Sequence, residues 1–434
     1  MTVEWTAAPG APLRGELVVP GDKSVSHRAI MLASLADGRS RIDGFLEGED
    51  TRATARAFSA MGVRIETPAP GVREVHGVGL HGLVAPPGPI DCGNAGTGMR
   101  LLAGVLAGQA FASELIGDGS LSRRPMARVV EPLTAMGARI DTAEAGRPPL
   151  RIHGGCPLHG IEYRTPVASA QIKSAILLAG LYARGETIVR EPTPTRDYTE
   201  RMLTAFGWPV SLAPTAVALT GGHRLHATEV RVPADFSSAA FFLVAATVVP
   251  GSDLLLRRVG INPRRTGLLQ ALRAMGADIE LIPVGETGGE PVADLRVRHA
   301  RLRGIEVDPA WAPDMIDEFP VLFVAAALAD GTTRVRGAAE LRVKESDRIA
   351  GMAAALRALG VDLVEHPDGA DIVGGRLAGG VVDSLGDHRL AMAMAVAGQC
   401  AGDPVRIRDC ANVETSFPGF AERAGAIGFG LTRT

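Results

Sequence analysis

Six times this chain writes nearly the same phrase: a helix-like run ending in an apolar residue, then glycine, then a β-type segment. The copies are FSAMGVRI (Gly62), LTAMGARI (Gly137), LTAFGWPV (Gly207), LRAMGADI (Gly276), LRALGVDL (Gly360) and the most degraded, GAIGFGL (Gly428). Successive glycines lie roughly 70 to 85 residues apart, longer than common solenoid periods, so each copy is expected to be a small folded unit. Each unit holds a second helix, rich in Ala, Leu and Val and ending near Gly. These are segments 26–38, 96–108, 169–185, 237–251, 316–331 and 388–402. They are apolar on nearly every face, which suits burial all round. The glycine-terminated helices instead carry charge on one side, as in ARVVEPLTAMG and DRIAGMAAALRALG. Short β-branched segments such as GELVVPG, TRVRG, ETIVREP and DPVRIRD separate the helices.

One buried helix, one surface helix and short strands per unit make an α/β repeat. Three units per domain would bury three apolar helices inside an outer layer of sheets and amphipathic helices. A chain of 434 residues that is 46% hydrophobic is ample for two such cores and too long for one. The segments VVPGDKS (18–24) and RVPADFSS (231–238) look alike and each leads into an apolar helix, so both domain crossings are placed there. The expected domains are 1–21 plus 235–434, and an inserted 22–234. The polar segment PVGETGGEPVADL (283–295) reads as a surface loop.

Net charge is −3, so no bulk basic surface for nucleic acid or membrane is expected, and any anion site must be local. The four cysteines form no C-x-x-C pair, which argues against zinc or redox motifs and for reduced thiols. The first residues, MTVEWTAAPGAPLRGEL, lack an apolar signal-peptide core, and the apolar runs are too short to span a bilayer. A cytoplasmic monomer is expected, with no metal and no cofactor.

Polar and charged residues gather where the apolar helices start. Lys23, Ser24, His27 and Arg28 lie at the first. Gly96 and Arg100 lie at the second, and Ser169, Gln171 and Lys173 at the third. Asp314 to Glu318 lie at the fifth, and Asp387, His388 and Arg389 at the sixth. Helix N-termini attract anions, and basic residues there oppose the dipole at a few tenths to about 1 kcal/mol each. Repeating that cost on several related helices points to an anionic ligand that offsets it. Arg123, Arg124 and Arg128 in GDGSLSRRPMAR, Arg196 in TPTRDYTE, and Arg342, Lys344 and Arg348 in ELRVKESDR add to the basic set. Read as a helical i,i+4 pair, Lys344 and Arg348 repel, which again suggests a ligand. Arginine grips phosphate and carboxylate through two parallel bonds, so the pattern fits ligands with several anionic groups. Asp317, Glu345, Lys23 and His388 are the acid/base candidates.

At these residues the chain resembles the 5-enolpyruvylshikimate-3-phosphate (EPSP) synthase family. The shared motifs are PGDKSVSHR (20–28), GNAGTGMR (93–100), GDGSLSRRPM (117–126), SAQIKSA (169–175), RVKESDR (342–348) and DHRLAM (387–392). The resemblance implies two inside-out α/β domains of three repeats each, closing over a cleft. It also implies transfer of enolpyruvyl from phosphoenolpyruvate to the 5-hydroxyl of shikimate 3-phosphate. By motif, Lys23, Ser24, Arg28, Ser169, Gln171, Arg196, Asp317 and Lys344 would hold shikimate 3-phosphate. Lys23, Gly96, Arg124, Gln171, Arg348 and Arg389 would hold phosphoenolpyruvate. Asp317 would be the base for the attacking hydroxyl, Glu345 and Lys23 would handle the proton at the methylene carbon, and Asp50 would support Lys23.

The chain departs from the family's commonest pattern at three places. Ala170 stands where many relatives have a second Ser. Leu101 stands where Pro is frequent. Glu414-Thr415-Ser416-Phe417 offers no Lys where some relatives have one. The pattern looks like the more divergent bacterial branch, which includes glyphosate-insensitive enzymes that often carry Ala at the Gly96 position; Gly96 here implies inhibition by glyphosate. Two rivals remain. The related transferase family acting on UDP-N-acetylglucosamine typically carries a reactive Cys in the loop that reads GDGSLSRRPM here. RNA-end cyclases share similar repeats but would call for a basic surface.

Overall fold

The computed structural model describes residues 3–433. Two compact units emerge: a split unit made of Met1–Pro20, Ala234–Gly285 and Pro291–Thr434, and an inserted unit made of Gly21–Pro233 with Glu286–Glu290. Among the described residues, twelve α-helices alternate between two kinds. The inserted unit holds α1 (Lys23–Leu35), α2 (Glu49–Ala60), α3 (Gly96–Ala107), α4 (Ala127–Ala135), α5 (Ala170–Gly180) and α6 (Tyr198–Ala205). The split unit holds α7 (Phe236–Val248), α8 (Gly267–Ala274), α9 (Phe319–Ala327), α10 (Arg348–Ala358), α11 (His388–Gly398) and α12 (Phe420–Ala426).

The repeated glycines end the even-numbered helices, and all six adopt positive φ: 91°, 108°, 83°, 99°, 83° and 115° at Gly62, Gly137, Gly207, Gly276, Gly360 and Gly428. After each, the next N–H turns back to a carbonyl five residues earlier, as in Val63 to Phe58, Ala138 to Leu133 and Val361 to Leu356. This is the Schellman stop, which needs a left-handed residue and so selects glycine. The phrase recurs because it fixes the angle at which each surface helix hands the chain to a strand.

Each repeat builds one sheet of the same order. In the inserted unit the sheets run 229–231, 37–43, 72–78, 64–66; then 90–91, 113–116, 147–153, 139–143; then 162–164, 186–190, 216–220, 211–213. The first pair in each is parallel and the remainder antiparallel. The parallel edge strand comes from the neighbouring repeat. Glu229–Arg231, after the third repeat, pairs with Asp37–Asp43 of the first, so the ring of three closes. In the split unit the N-terminal segment performs that closure. Trp5–Ala8 lies between Val405–Arg408 and Gly430–Arg433, and Arg14–Leu17 runs parallel to Asp253–Gly260. The three-stranded sheet of this unit gains a parallel bridge, Glu306 to Arg334, in the corresponding place.

The odd-numbered helices are interior. In α7 every residue from Phe236 to Thr247 is buried, and in α9 every residue is. Each unit has its own hydrophobic core built around them. Their ends differ from the sequence reading. Helix α1 starts earlier, at Lys23, because Asp22 caps it by accepting the Val25 N–H at 2.9 Å, and it stops at Leu35. Helix α5 stops at Gly180, yet Leu181 and Ala183 stay buried, so the apolar run outlasts the helix. Helix α9 begins only at Phe319, after a short 3₁₀ turn over Pro309–Asp314.

The segment read as a loop at 283–295 is instead a β-hairpin, Asp278–Thr287 with Glu290–Arg298. Gly288 and Gly289, at φ 61° and 79°, form its two-residue turn, and Gly-Gly at that spacing was the available signal. Among the described residues no helix is long and apolar enough to cross a membrane.

Candidate active site

In the inserted unit the starts of α1, α3 and α5 bring the sequence candidates together. Lys23, in the first turn of α1, forms a salt bridge with Asp50 at the start of α2. Around the start of α3 a chain of bonds links three motifs. Arg124 Nη2 donates to Asn94 Oδ1 at 2.7 Å, Arg100 Nη1 donates to Gln171 Oε1 at 2.8 Å, and Gln171 Nε2 donates to Thr97 Oγ1 at 2.8 Å. Gly96 lies among them. A Cβ there would stand 2.9 Å from Arg124 Nη1 and 3.3 Å from Arg100 Nη1. Neither α3 nor α5 has a side-chain cap, so Gly96 and Ser169 mark helix ends of the kind that receive anions.

Arg28 is buried. Its three nitrogens donate to Thr199 Oγ1 (2.7 Å), the Ser24 carbonyl (2.9 Å) and Ser174 Oγ (2.8 Å). Burial lowers its pKa to about 10 against the opposing pull of Glu200, Asp22 and Tyr198, and Arg196 lowers it further. Arg28 and Arg196 therefore feel each other's charge. His27 pairs with Thr54 at 2.7 Å, and burial, helped by Lys23 and Arg28, holds its pKa well below the ordinary value, so its imidazole is neutral. Lys173 is not among the anion-facing groups. It lies 2% exposed between Glu191 and Glu200, at 2.8 Å from each.

In the split unit the turn before α8 and the starts of α10 and α11 converge on Asp317, which lies just ahead of α9. Its carboxylate meets Arg265 Nη1 at 3.2 Å, Arg348 Nη1 at 3.4 Å and Arg389 Nη2 at 4.0 Å. Arg348, 1% exposed, also donates from Nε to Asp387 Oδ2 at 2.8 Å and from Nη2 to Glu345 Oε2 at 2.6 Å. Burial by itself would lower the pKa of Arg348, but Asp387, Glu345 and Asp317 outweigh it and the net shift is upward. Lys344 is half-buried. Loss of water lowers the pKa of its ammonium, while Asp317 and Glu340 pull the other way.

Lys344 and Arg348 are not a helical i,i+4 pair. Lys344 follows a 3₁₀ turn (Ala339–Val343), and α10 starts at Arg348 behind its cap Asp347, which accepts the Ala350 N–H at 3.0 Å. The repulsion inferred from that spacing does not apply. Arg342 holds Asp347, Glu365 and the His366 carbonyl, which makes it a structural clamp. The cost of basic helix starts is also smaller than the sequence suggests at α1, α10 and α11, which Asp22, Asp347 and Asp387 cap, whereas α3 and α5 have no such side-chain cap.

One functional candidate, Arg265, escaped the sequence reading, and Asp387 was noted there only as a polar residue at a helix start. Arg265 is buried and reaches Asp235, Ser237, Asp317 and Glu318 at once. Asp387 is fully buried, and besides Arg348 it accepts from Ser346 Oγ (3.1 Å) and from the Arg389 N–H (2.9 Å). Cys92 lies in the core of the inserted unit, and burial pushes its thiol up to about 12, which removes it as a nucleophile.

Residues 7–424 match the sequence profile of the EPSP synthase (3-phosphoshikimate 1-carboxyvinyltransferase) family. The chain belongs to the EPSP synthase family. The 3-phosphoshikimate 1-carboxyvinyltransferase of Xanthomonas campestris pv. campestris (strain B100) is 65% identical over 431 residues, which is 99% of this chain and 98% of the relative. That of Xanthomonas oryzae pv. oryzae (strain PXO99A) is 65% identical over 430 residues, with the same shares covered. The EPSP synthase structure from Acinetobacter baumannii superposes with a TM-score of 0.90 at 49% identity and covers all of both chains. The α/β fold of six repeats is thus that of the EPSP synthase family. Thr415, where some members carry Lys, ends a short 3₁₀ turn and donates to the Asn412 carbonyl at 2.7 Å.

Proposed function

We propose that these two clusters carry out the family's reaction: transfer of enolpyruvyl from phosphoenolpyruvate to the 5-hydroxyl of shikimate 3-phosphate, with release of phosphate. The near-full-length match to 3-phosphoshikimate 1-carboxyvinyltransferases carries this reading. Addition needs a proton delivered to C3 of phosphoenolpyruvate while the hydroxyl oxygen attacks C2. Elimination then removes a proton from C3 as the C2–O bond to phosphate breaks. Asp317 takes the hydroxyl proton, and Glu345 and Lys23 exchange the C3 proton. Lys23, Ser24, Arg28, Ser169, Gln171, Arg196, Asp317 and Lys344 bind shikimate 3-phosphate. Lys23, Gly96, Arg124, Gln171, Arg348 and Arg389 bind phosphoenolpyruvate, their guanidinium groups stabilising charge on the departing phosphate. On this reading Arg348 and Arg28 act with most of their donors already committed, which fixes their planes before substrate arrives. The functional domains are 1–21 plus 235–434 and 22–234, and the enzyme works as a cytoplasmic monomer.

The deciding assay measures phosphate release from phosphoenolpyruvate with each of two acceptors. Turnover is expected with shikimate 3-phosphate and none with UDP-N-acetylglucosamine; the reverse outcome would assign the chain to the sister activity. Calorimetry adds a second expectation. Phosphoenolpyruvate should bind more tightly when shikimate 3-phosphate is present, and equal affinity in both conditions would remove coupling between the two ligands.

Gly96→Ala supplies a third expectation. The added methyl would meet Arg124 Nη1 at 2.9 Å, closer than a real Cβ contact allows, and must push that guanidinium aside. The KM for phosphoenolpyruvate should rise about tenfold, with the KM for shikimate 3-phosphate unchanged. A phosphoenolpyruvate KM within twofold of the parent would mean that Arg124 does not grip this substrate. For the parent enzyme, inhibition by glyphosate is expected, and a titration without effect at millimolar levels would reject it.

A further inference from the structure

The binding motif SAQIKSA contains a lysine that the reaction does not use. Lys173 points away from the start of α5 into the interior and joins three elements. Its Nζ lies 2.8 Å from Glu191 Oε2, 2.8 Å from Glu200 Oε1 on α6, and 3.4 Å from the Thr195 carbonyl. Both carboxylates that meet it are buried, as is Thr195. Burying one cation with two carboxylates is an inefficient way to stabilise a fold, since apolar residues of similar volume do as well or better. What such a cluster can supply is a fixed geometry.

The geometry it fixes is that of Arg196. Thr195, the residue just before, is held at every polar backbone and side-chain atom. Its N–H donates to Glu191 Oε2 at 3.4 Å, its hydroxyl donates to Glu191 Oε1, and its carbonyl accepts from Lys173. Beyond Arg196, Asp197 stands just before α6 and accepts from Arg201 Nε at 2.8 Å, and the first turn of α6 carries Glu200. The next residue of α5, Ser174, pairs with Thr199 at 2.7 Å, so α5 and α6 are tied a second time.

We propose that Lys173, Glu191 and Thr195 form a positioning device that sets the backbone of Arg196 and so the affinity for the phosphate of shikimate 3-phosphate. This rests on the reading of Arg196 as a phosphate ligand. The device touches neither substrate, and its effect passes through Arg196.

The test is a double-mutant cycle on the full-length enzyme with Thr195→Val and Arg196→Ala. Thr195→Val keeps the shape and removes the bond to Glu191. It should raise the KM for shikimate 3-phosphate about fivefold to tenfold, with kcat and the KM for phosphoenolpyruvate within twofold. In the Arg196→Ala background it should add less than twofold, because the group it positions is gone. Equal rises in both KM values, full multiplication of the two effects, or an unchanged shikimate 3-phosphate KM in Thr195→Val would overturn the proposal. A silent Arg196→Ala would instead overturn the reading of Arg196 beneath it. If Thr195→Val does not fold, Glu191→Gln must give the same split and the same coupling.

Discussion

Asp317→Asn is expected to lower kcat by about a thousandfold while leaving the enzyme folded. Asparagine has nearly the same shape, and its carbonyl oxygen can still accept from Arg265 or Arg348, which sit 3.2 and 3.4 Å from the two carboxylate oxygens. What it cannot do is take a proton from the attacking hydroxyl. The loss should fall on kcat, because ligand contacts of similar geometry remain, and the KM values should move only a fewfold. Single-turnover measurement at saturating substrates separates the chemical step from product release. A kcat within tenfold of the parent would mean that another group accepts the proton. Glu345, held to Arg348 at 2.6 Å, would then be the first to examine.

Why the candidate base was legible in the sequence while its surroundings were not has a physical explanation. The glycines at 62, 137, 207, 276, 360 and 428 are local signals: a left-handed stop is written in one residue and its neighbours, so repetition exposes it. The apolar helices are equally local, since burial on every side leaves no polar face. Arg265 is different. It lies in NPRRTG, a turn with no period, and its contacts with Asp235 and Asp317 span 30 and 52 residues of chain. Only the closing of three repeats into one ring makes those neighbours. Lys173 was misread for a related reason. Its position near a helix start suggested an anion site, but a helix start is also where a side chain can turn inward onto the next repeat, and Glu191 and Glu200 lie beyond any local window. The reading of Lys344 and Arg348 as one helix face failed on a cap that was in plain view. Asp347 before the apolar run IAGMAAAL marks the start of α10 and puts Lys344 outside it.

The largest effect on stability is expected at Asp387. Its carboxylate is fully buried against Arg348, which is itself 1% exposed, and it also accepts the Arg389 N–H at the start of α11. Asp387→Ala leaves a guanidinium in the interior with its main partner gone. The cost should be about 3–5 kcal/mol, read as a lower denaturant midpoint at neutral pH. Asp387→Asn restores the cap and should recover about 1 kcal/mol of that loss. The pH dependence has a definite sign. Burial alone would raise the Asp387 pKa, but Arg348 overcomes it, and the net shift is below the ordinary carboxylate value. A depressed native pKa means that the unfolded chain takes up the proton first as pH falls. The stability contributed by Asp387 is therefore complete above the unfolded value, near 3.9, and is lost as pH falls toward the native one. The gap between parent and Asp387→Ala should accordingly be constant from about pH 6 to 8 and shrink in acid. A gap that widened in acid would require a native Asp387 pKa above that of the unfolded chain, and Arg348 would then not be the partner that holds its charge.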